Sequence, residues 1–358
     1  MSIMNQEPIT NPSRPAWPVT GLEFLTVCPV CGAGDRRRVH ECLEDRIFHC
    51  APGQWSLWRC EACGCGYLDP RPTAATIGLA YAEYYTHDAA DDIFLSSATR
   101  VGRRLPDLRN AYLNARFPAL GLKPTLPLVG GWLKLFPETR DLAERDVRHL
   151  PAPKENARLM DIGCGSGAFV KRARAMGYQA EGLEFDENAV NSARQAGLPV
   201  RYGALPDTGL EAETYQVVTL SQVIEHVHDP KACFAEIHRL LVAGGTFWLA
   251  TPNMNASGHQ EFGPDWRGLE PPRHLVLFSA EGLEQALTRA GFTDIRFMPP
   301  GPVSEWFYQA SERVRGRIPE GRPVTLSKEL QQAAVNEDRL MRRNPRVGEE
   351  LVVLARKP

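Results

Sequence analysis

The sequence predicts an α/β protein: a doubly wound parallel sheet preceded by a small cysteine-rich module and a helical connector. Three observations predict it. From residue 156 onward, short apolar runs alternate with stretches of helical period, as in a sheet covered on both faces. The first run ends in a glycine-rich turn, Asp161-Ile162-Gly163-Cys164-Gly165-Ser166-Gly167. Seven of the nine cysteines crowd between Cys28 and Cys65. In a reducing compartment such a cluster is a metal site more often than a set of disulfides.

The α/β part reads in order. Ala157–Ile162 is an apolar strand entering the glycine turn, and Ala168–Ala175 a helix stopped by Gly177. Tyr178–Phe185 is a strand, and Glu187–Gln195 a helix stopped by Gly197. Val200–Tyr202 begins a short strand, Gln216–Leu220 is another, and Pro230–Leu241 is a helix running to Gly244-Gly245. Thr246–Ala250 is the next strand, and Ala280–Ala290 a helix closed by Gly291. Ile295–Met298 and Glu350–Arg356 are final strands, with helices around Val303–Arg315 and Leu326–Arg342 between them. Glycine just past a helical run and proline inside one set these limits.

Upstream lie three further segments. Residues 1–21 are polar and proline-rich, and are expected as a disordered leader with no signal-peptide core. Residues 22–86 form the cysteine-rich module. Residues 87–155 form the connector, with helical periodicity across Ala98–Leu113 and Trp132–Leu150 broken by Pro118, Pro124, Pro127 and Pro137. The connector is open to three uses: a cap over a substrate, a dimer surface, or a peripheral membrane contact. The oligomeric state is left open.

Composition excludes some classes. The 358 residues are 43% hydrophobic and 23% charged, ordinary for a globular chain. The formal net charge of −2 lacks the basic excess of a phosphate-gripping protein, so no nucleic-acid partner is expected. No apolar run is long enough to cross a bilayer; Leu126–Phe136 is interrupted by proline, paired glycines and lysine. A cytoplasmic location is expected.

The glycine turn places backbone N–H groups at the carboxyl edge of a sheet, where ligands bind. Glycine lets the backbone turn sharply and approach a ligand, and the following helix N-terminus favours an anionic group. Glu184, ending the second strand, stands where an acidic side chain holds ribose hydroxyls. These features alone suit a dinucleotide as well as other nucleosides.

Four blocks separate the alternatives. DIGCGSG, EGLEFD, VVTLSQVIEHVHDP and RLLVAGGTFWLATPN, in that order and spacing, resemble the successive motifs of class I S-adenosylmethionine-dependent methyltransferases, which have a Rossmann-like sheet. The resemblance covers roughly residues 156–300. It implies that Asp161, Gly163, Gly165 and Gly167 line the methionine end of S-adenosylmethionine. It further implies that Glu184 binds the ribose, Phe185 flanks the adenine, and backbone near Ala204 and Leu205 completes that side. Ser221, ending the fourth strand, borders the same site.

Cys28-Pro-Val-Cys31-Gly and Cys60-Glu-Ala-Cys63-Gly are matching knuckles. Two pairs of thiolates meet the needs of a closed tetrahedral zinc site, which is structural because no position remains for substrate. The long separation suits a ribbon with a hairpin excursion. Cys42, Cys50, Cys65, His40 and His49 are read as core or surface residues. The sequel GYLDPRPT…YAEYY, with DWRGLEPPRHLVLFSAEGL downstream, resembles bacterial methyltransferases that carry a small zinc module, some acting on nucleotide-linked sugars and many near polysaccharide assembly.

Methyl transfer to a hydroxyl or carbon acid needs alignment and a proton acceptor. Glu225-His226, in the loop after the fourth strand, is the first candidate acid/base pair. His274 is the second candidate base, and Tyr84, with Tyr81 and Tyr85, is a candidate to close over the acceptor. Arg273 is a candidate to meet an acceptor phosphate or carboxylate, and Trp266 to stack on a sugar. The expected acceptor is a sugar nucleotide or glycan precursor. An RNA methyltransferase using the zinc module as its grip, and a non-catalytic cofactor-binding scaffold, are the competing readings.

Overall fold

The computed structural model describes residues 17–81, 106–123, 135–319 and 321–358. The leader up to residue 16, the end of the cysteine module and start of the connector over 82–105 (with Tyr84 and Tyr85), the connector segment 124–134, and residue 320 lie outside the described residues.

In the cysteine module, β1 (Leu22–Glu23) pairs with β5 (Arg71–Pro72), while β2 (Arg36–Leu43), β3 (Trp55–Cys60) and β4 (Gly66–Leu68) form an antiparallel sheet. Cys28 and Cys31 precede β2; Cys60 ends β3 and Cys63 lies in the turn to β4. The β2–β3 hairpin is the excursion that the long spacing required. In the connector, α1 (Pro106–Arg116) and α2 (Pro137–Asp146) are helical; of the stretch expected as helical from Ala98 to Leu113, residues 98–105 lie outside the described residues.

The main sheet contains β6 (Arg158–Ile162), β7 (Gln179–Glu184), β8 (Val200–Tyr202), β9 (Tyr215–Ser221), β10 (Leu241–Pro252), β12 (Thr293–Met298) and β13 (Glu350–Arg356). Its spatial order is β12-β13-β10-β9-β6-β7-β8. The pairs from β10 to β8 are parallel, and β13 runs antiparallel to both β10 and β12. Helices α3 (Ala168–Ala175), α4 (Glu187–Gln195), α5 (Pro230–Leu240), α6 (Ser257–Phe262), α7 (Ala280–Arg289), α8 (Ser304–Arg315) and α9 (Lys328–Arg343) connect these strands. Asp186, Asp229, Ser279 and Ser327 accept backbone N–H bonds at the starts of α4, α5, α7 and α9. Each satisfies a donor that the helix itself leaves unpaired.

Strand alternation builds two cores. Met160, Ile162, Val218, Leu220, Phe247 and Leu249 pack on one face with α5, α7 and the cysteine knuckles. Leu159, Val217, Trp248 and Ala250 pack on the other with Leu113, Phe117 and Leu150 of the connector. Strands buried on both faces read as continuous apolar runs, which is why their positions were legible. The strand expected at Thr246–Ala250 spans Leu241–Pro252, because Gly244-Gly245 form an irregularity in the pairing with β9 and do not precede it.

One described strand of the α/β part had no sequence signal. β11 (Val276–Leu277) leaves the α/β part and pairs antiparallel with β4, so the module's sheet has the order β11-β4-β3-β2. Ser279 fixes the same junction: its hydroxyl donates to the Cys63 carbonyl at 2.6 Å and accepts from Gly282 N–H at 2.9 Å. A Cβ on Gly282 would come within 2.2 Å of Cys65 Sγ, so this helical position admits no side chain without displacement.

Candidate functional site

Along the sheet, β6, β7 and β8 run one way from the centre and β9 and β10 the other, so the chain order reverses between β6 and β9. A crevice opens at the carboxyl ends of the strands flanking such a switch point. The glycine loop and the loop after β9 form its two lips.

Gly163, Gly165 and Gly167 have φ of 70°, 53° and 82°, the left-handed region that favours glycine. A Cβ on Gly163 would sit 2.3 Å from Val223 Cγ2, so the two loops touch at van der Waals distance only because this position is bare. Cys164 turns away and packs under the loop against Gly182 and Val170.

Glu184 is buried beside the glycine loop. Its Oε2 accepts from Gly165 N–H at 2.8 Å, and its Oε1 from Phe185 and Asp186 N–H at 2.8 and 3.0 Å. Burial pushes its carboxyl above the ordinary value, while these three amides oppose the shift. Phe185 is half exposed beside it, and Gly203 N–H bonds the Glu184 carbonyl, which brings Ala204 and Leu205 to the same side. Ser221 ends β9, the strand beside β6 and its glycine loop.

Asp161, expected to line the methionine end, lies at the end of β6, just before the glycine loop. It is buried beneath the loop, where Oδ1 accepts from Thr219 Oγ1 at 2.7 Å and pairs with Arg148; Oδ2 has no partner among the described residues. Arg148 stacks over Phe169 with its guanidinium carbon 3.5 Å from the ring centroid. It lies in the connector, outside every motif, so sequence reasoning missed it.

The opposite wall carries the candidate acid/base residues. Glu225 is fully buried. Its Oε2 accepts from Thr251 Oγ1 at 2.9 Å, and Oε1 has no partner among the described residues. Burial pushes its carboxyl up to about 8, against its own backbone N–H and the Thr251 hydroxyl. The carboxyl is therefore held off an ordinary carboxylate's behaviour, and the pair expected to work as Glu225-to-His226 is not hydrogen-bonded to itself. His226 Nδ1 lies 3.0 Å from Tyr81 Oη and 3.1 Å from the Arg273 carbonyl. Nδ1 donates to the Arg273 carbonyl when it carries the ring proton and accepts from the Tyr81 hydroxyl when it does not, so the pair of contacts serves either tautomer. Burial lowers the His226 pKa, against the pull of the Glu270 charge.

His274 joins this wall, its ring centroid 4.7 Å from that of His226. Its Nδ1 donates to the Gly268 carbonyl at 2.8 Å, and burial lowers its pKa to about 3. The two alternative bases thus occupy one place. Tyr81, from the cysteine module, reaches across the crevice: its ring lies 6.0 Å from that of Phe185 and 6.3 Å from that of His226. Tyr84 lies outside the described residues.

Two expectations fail on burial. Arg273 is wholly enclosed, bonded to Asp45 at 2.7 and 3.1 Å, to Glu270 at 3.0 Å and to the Ala80 carbonyl at 3.0 Å. Its fork is spent inside the protein, so it meets no acceptor phosphate. Asp45 lies in the β2–β3 hairpin, where it also accepts from the N–H groups of Ile47, Phe48, Cys50 and Ala51. No motif marked it. Trp266 is 1% exposed, stacked on His259, with Nε1 on Glu349 at 2.6 Å, so it is a core residue and not a sugar platform.

Cys28, Cys31, Cys60 and Cys63 converge, all four Sγ atoms lying within 4.8 Å of one another. Cys28 and Cys63 are 3.7 Å apart, and Cys31 and Cys60 3.5 Å. A tetrahedron with zinc–sulfur bonds of about 2.3 Å has edges of about 3.8 Å, so the cluster fits the ion. Backbone bonds from Gly32 to Cys28 and from Gly64 to Cys60 close the two knuckles at 2.9 and 3.0 Å.

Residues 136–296 match the family model described as a methyltransferase domain. The match begins within the segment expected as a connector. Over 166 residues the chain is 30% identical to a ubiquinone biosynthesis O-methyltransferase of Thiobacillus denitrificans, covering 44% of this chain and 66% of that protein. Over 156 residues it is 26% identical to the protein of the same name in Methylococcus capsulatus, covering 42% and 60%. The chain thus spans less than two thirds of the length of these relatives. A crystal structure of an S-adenosylmethionine-dependent methyltransferase from Archaeoglobus fulgidus superposes with a TM-score of 0.43 at 18% identity, over 64% of this chain and all of that one.

Proposed function

We propose that this chain, whose centre is a class I S-adenosylmethionine-dependent methyltransferase domain, transfers the methyl group of S-adenosylmethionine to a hydroxyl of a small-molecule acceptor. The observation that carries the reading is Glu184, a buried carboxylate fixed to the glycine loop at the switch point. A ribose diol supplies the donors such an acceptor wants. Asp161 Oδ2, buried without a partner among the described residues, offers the cofactor's ammonium an acceptor under the same loop. Unpaired buried acceptors are costly, and a bound cation relieves them.

The acceptor docks between Tyr81 and the His226–His274 wall, with its nucleophilic atom in line with the methyl and sulfur. Its proton is lost at the Glu225/His226 end. Oxygen is favoured over carbon by the named chemistry of the relatives, O-methylation. The sugar-nucleotide acceptor loses two of its proposed contacts, since Arg273 and Trp266 are enclosed, so phenolic quinone precursors stand beside nucleotide sugars as acceptors to try.

The four-cysteine cluster binds structural zinc in this reading, and the fold of the knuckles depends on it. Thiolate chemistry suits a reducing compartment, and we place the protein in the cytoplasm. No helix among the described residues is long and apolar enough to cross a membrane.

Calorimetry with S-adenosylhomocysteine tests the cofactor, with binding expected. Mass spectrometry of phenolic and nucleotide-sugar acceptors, incubated with labelled S-adenosylmethionine, tests the transfer. A labelled methyl on an acceptor oxygen is expected. Heat with NAD and none with S-adenosylhomocysteine would overturn the reading.

A further inference from the structure

We propose that Glu337 and Glu349 share one proton as a buried latch, which fastens the C-terminal helices α8 and α9 to the wall that holds His274 and loosens when the proton is lost. Glu337 lies on the inner face of α9 and is 4% exposed; Glu349 precedes β13 and is fully enclosed. The two carboxyls are in hydrogen-bonding contact.

The hydrogen bonds assign the proton. Glu349 Oε1 accepts from Gly258 N–H at 2.7 Å and Oε2 from Trp266 Nε1–H at 2.6 Å, as an ionised carboxylate does. A Cβ on Gly258 would sit 2.5 Å from Glu349 Oε1, so the bare glycine is what admits the carboxylate. Both oxygens of Glu337 are buried, and neither has an aligned partner among the described residues. Two unsatisfied acceptors of this kind are costly. A single proton on Glu337 turns the contact into a charge-assisted hydrogen bond donated to Glu349.

No cation paired with either carboxyl takes the place of that proton among the described residues. The polar groups facing the pair are the Ser257 hydroxyl of α6, the Trp266 indole and the Tyr308 hydroxyl of α8. His259 of α6 spends Nδ1 on the Met254 carbonyl and Nε2 on His40. Arg315 of α8 pairs with Glu312, Arg342 of α9 with Asp141, and Arg346 with Glu284. Glu261, Asp338 and Glu350, neighbours along the same elements, are themselves acids. Two buried carboxyls in contact without a counter-charge cannot both ionise, and burial raises the pKa of each.

The latch bears on the crevice through Trp266. A Cβ on Gly268 would lie 2.2 Å from the Trp266 ring, so the indole rests on the bare backbone of Gly268. The carbonyl of that glycine accepts from His274 Nδ1–H at 2.8 Å. Loss of the shared proton sets two like charges side by side, and Glu349 moves with the indole it holds. The latch does not rest on the methyl-transfer reading.

The test compares the full chain with Glu337→Gln, whose amide keeps the side chain's shape and donates to Glu349 without a proton to lose. Unchanged near-ultraviolet circular dichroism certifies the fold. In the wild type the folded pair holds one proton that the unfolded chain, with glutamates near 4.5, has released. The wild-type unfolding constant should therefore rise against that of the variant by roughly tenfold per pH unit, on the order of 100-fold between about pH 5 and 7. Infrared difference spectra should show one protonated-carboxyl band in the wild type that the variant lacks. A ratio independent of pH, or the same carboxyl band in both proteins, overturns the proposal. So does a ratio that moves with sodium or potassium at constant ionic strength, which would put a cation where the proton is assigned.

Discussion

Replacing Gly163 by alanine asks whether the glycine loop and the loop after β9 are one site. The residue has φ of 70°, where an L side chain costs about 1–2 kcal/mol. The new Cβ would lie 2.3 Å from Val223 Cγ2, far inside the roughly 3.5–4.0 Å at which carbons rest. Val223 is β-branched and stiff at χ1, so relief comes from moving its loop. Overpacking of this kind costs about 1–3 kcal/mol, giving about 2–5 kcal/mol in total. The displaced loop is the one that carries Glu225 and His226. In Gly163→Ala/Val223→Ala both Cγ atoms are gone, so only the backbone strain and the lost valine packing remain. A double-mutant cycle in urea should therefore show a favourable coupling of about 1–3 kcal/mol. Calorimetry should show S-adenosylhomocysteine binding weakened in Gly163→Ala and partly regained in the double variant. If the two changes add within about 0.5 kcal/mol, the loops do not press on each other and the site is drawn wrongly.

Three more expectations follow from the same contacts. Glu184→Gln sets an amide NH2 against backbone N–H groups that now point at a carboxylate; the cost of about 1–3 kcal/mol should appear as a 10- to 100-fold weaker Kd for S-adenosylhomocysteine, and an unchanged Kd would refute the ribose assignment. Asp45→Asn breaks an enclosed ion pair with Arg273 and should destabilise the protein by about 3–5 kcal/mol in denaturant melts; a loss under 1 kcal/mol would show that the hairpin does not clamp the histidine wall. The third concerns acid. His259 donates through Nδ1 to the Met254 carbonyl at 2.9 Å, so its Nε2 accepts the Nε2–H of His40 at 2.9 Å and both rings are neutral. Burial, then repulsion from His259 when both rings are protonated, lower the His40 pKa to about 4. Between that value and the ordinary 6.5 the unfolded chain binds the extra proton, so stability is full above about pH 6.5 and falls with decreasing pH, by at most about 1.4 kcal/mol per unit from this group. His40→Phe should flatten that slope in melts from pH 7 to 4.5; an unchanged slope would assign the acid sensitivity elsewhere.

The sequence by itself determined the sheet, the glycine turn, the carboxylate after the second strand and the four paired cysteines. Each is a local signal: a buried strand is apolar along its length, a left-handed turn demands glycine, and two thiolates on one turn are fixed by a spacing of three. The helices of the α/β part were bounded by their caps and closing glycines for the same reason. What only the tertiary structure decided is which distant segments meet. Asp45 and Arg273 are charges of unremarkable context until the hairpin closes on the histidine loop. β11 is two apolar residues until β4 offers it an edge, and Arg148 is a connector residue until Asp161 receives it. His226 and His274 looked like rivals because 48 positions separate them along the chain, yet they share one wall of the crevice. Burial of a polar group is paid or recovered by whatever the fold sets beside it, and a linear pattern carries no record of that neighbour.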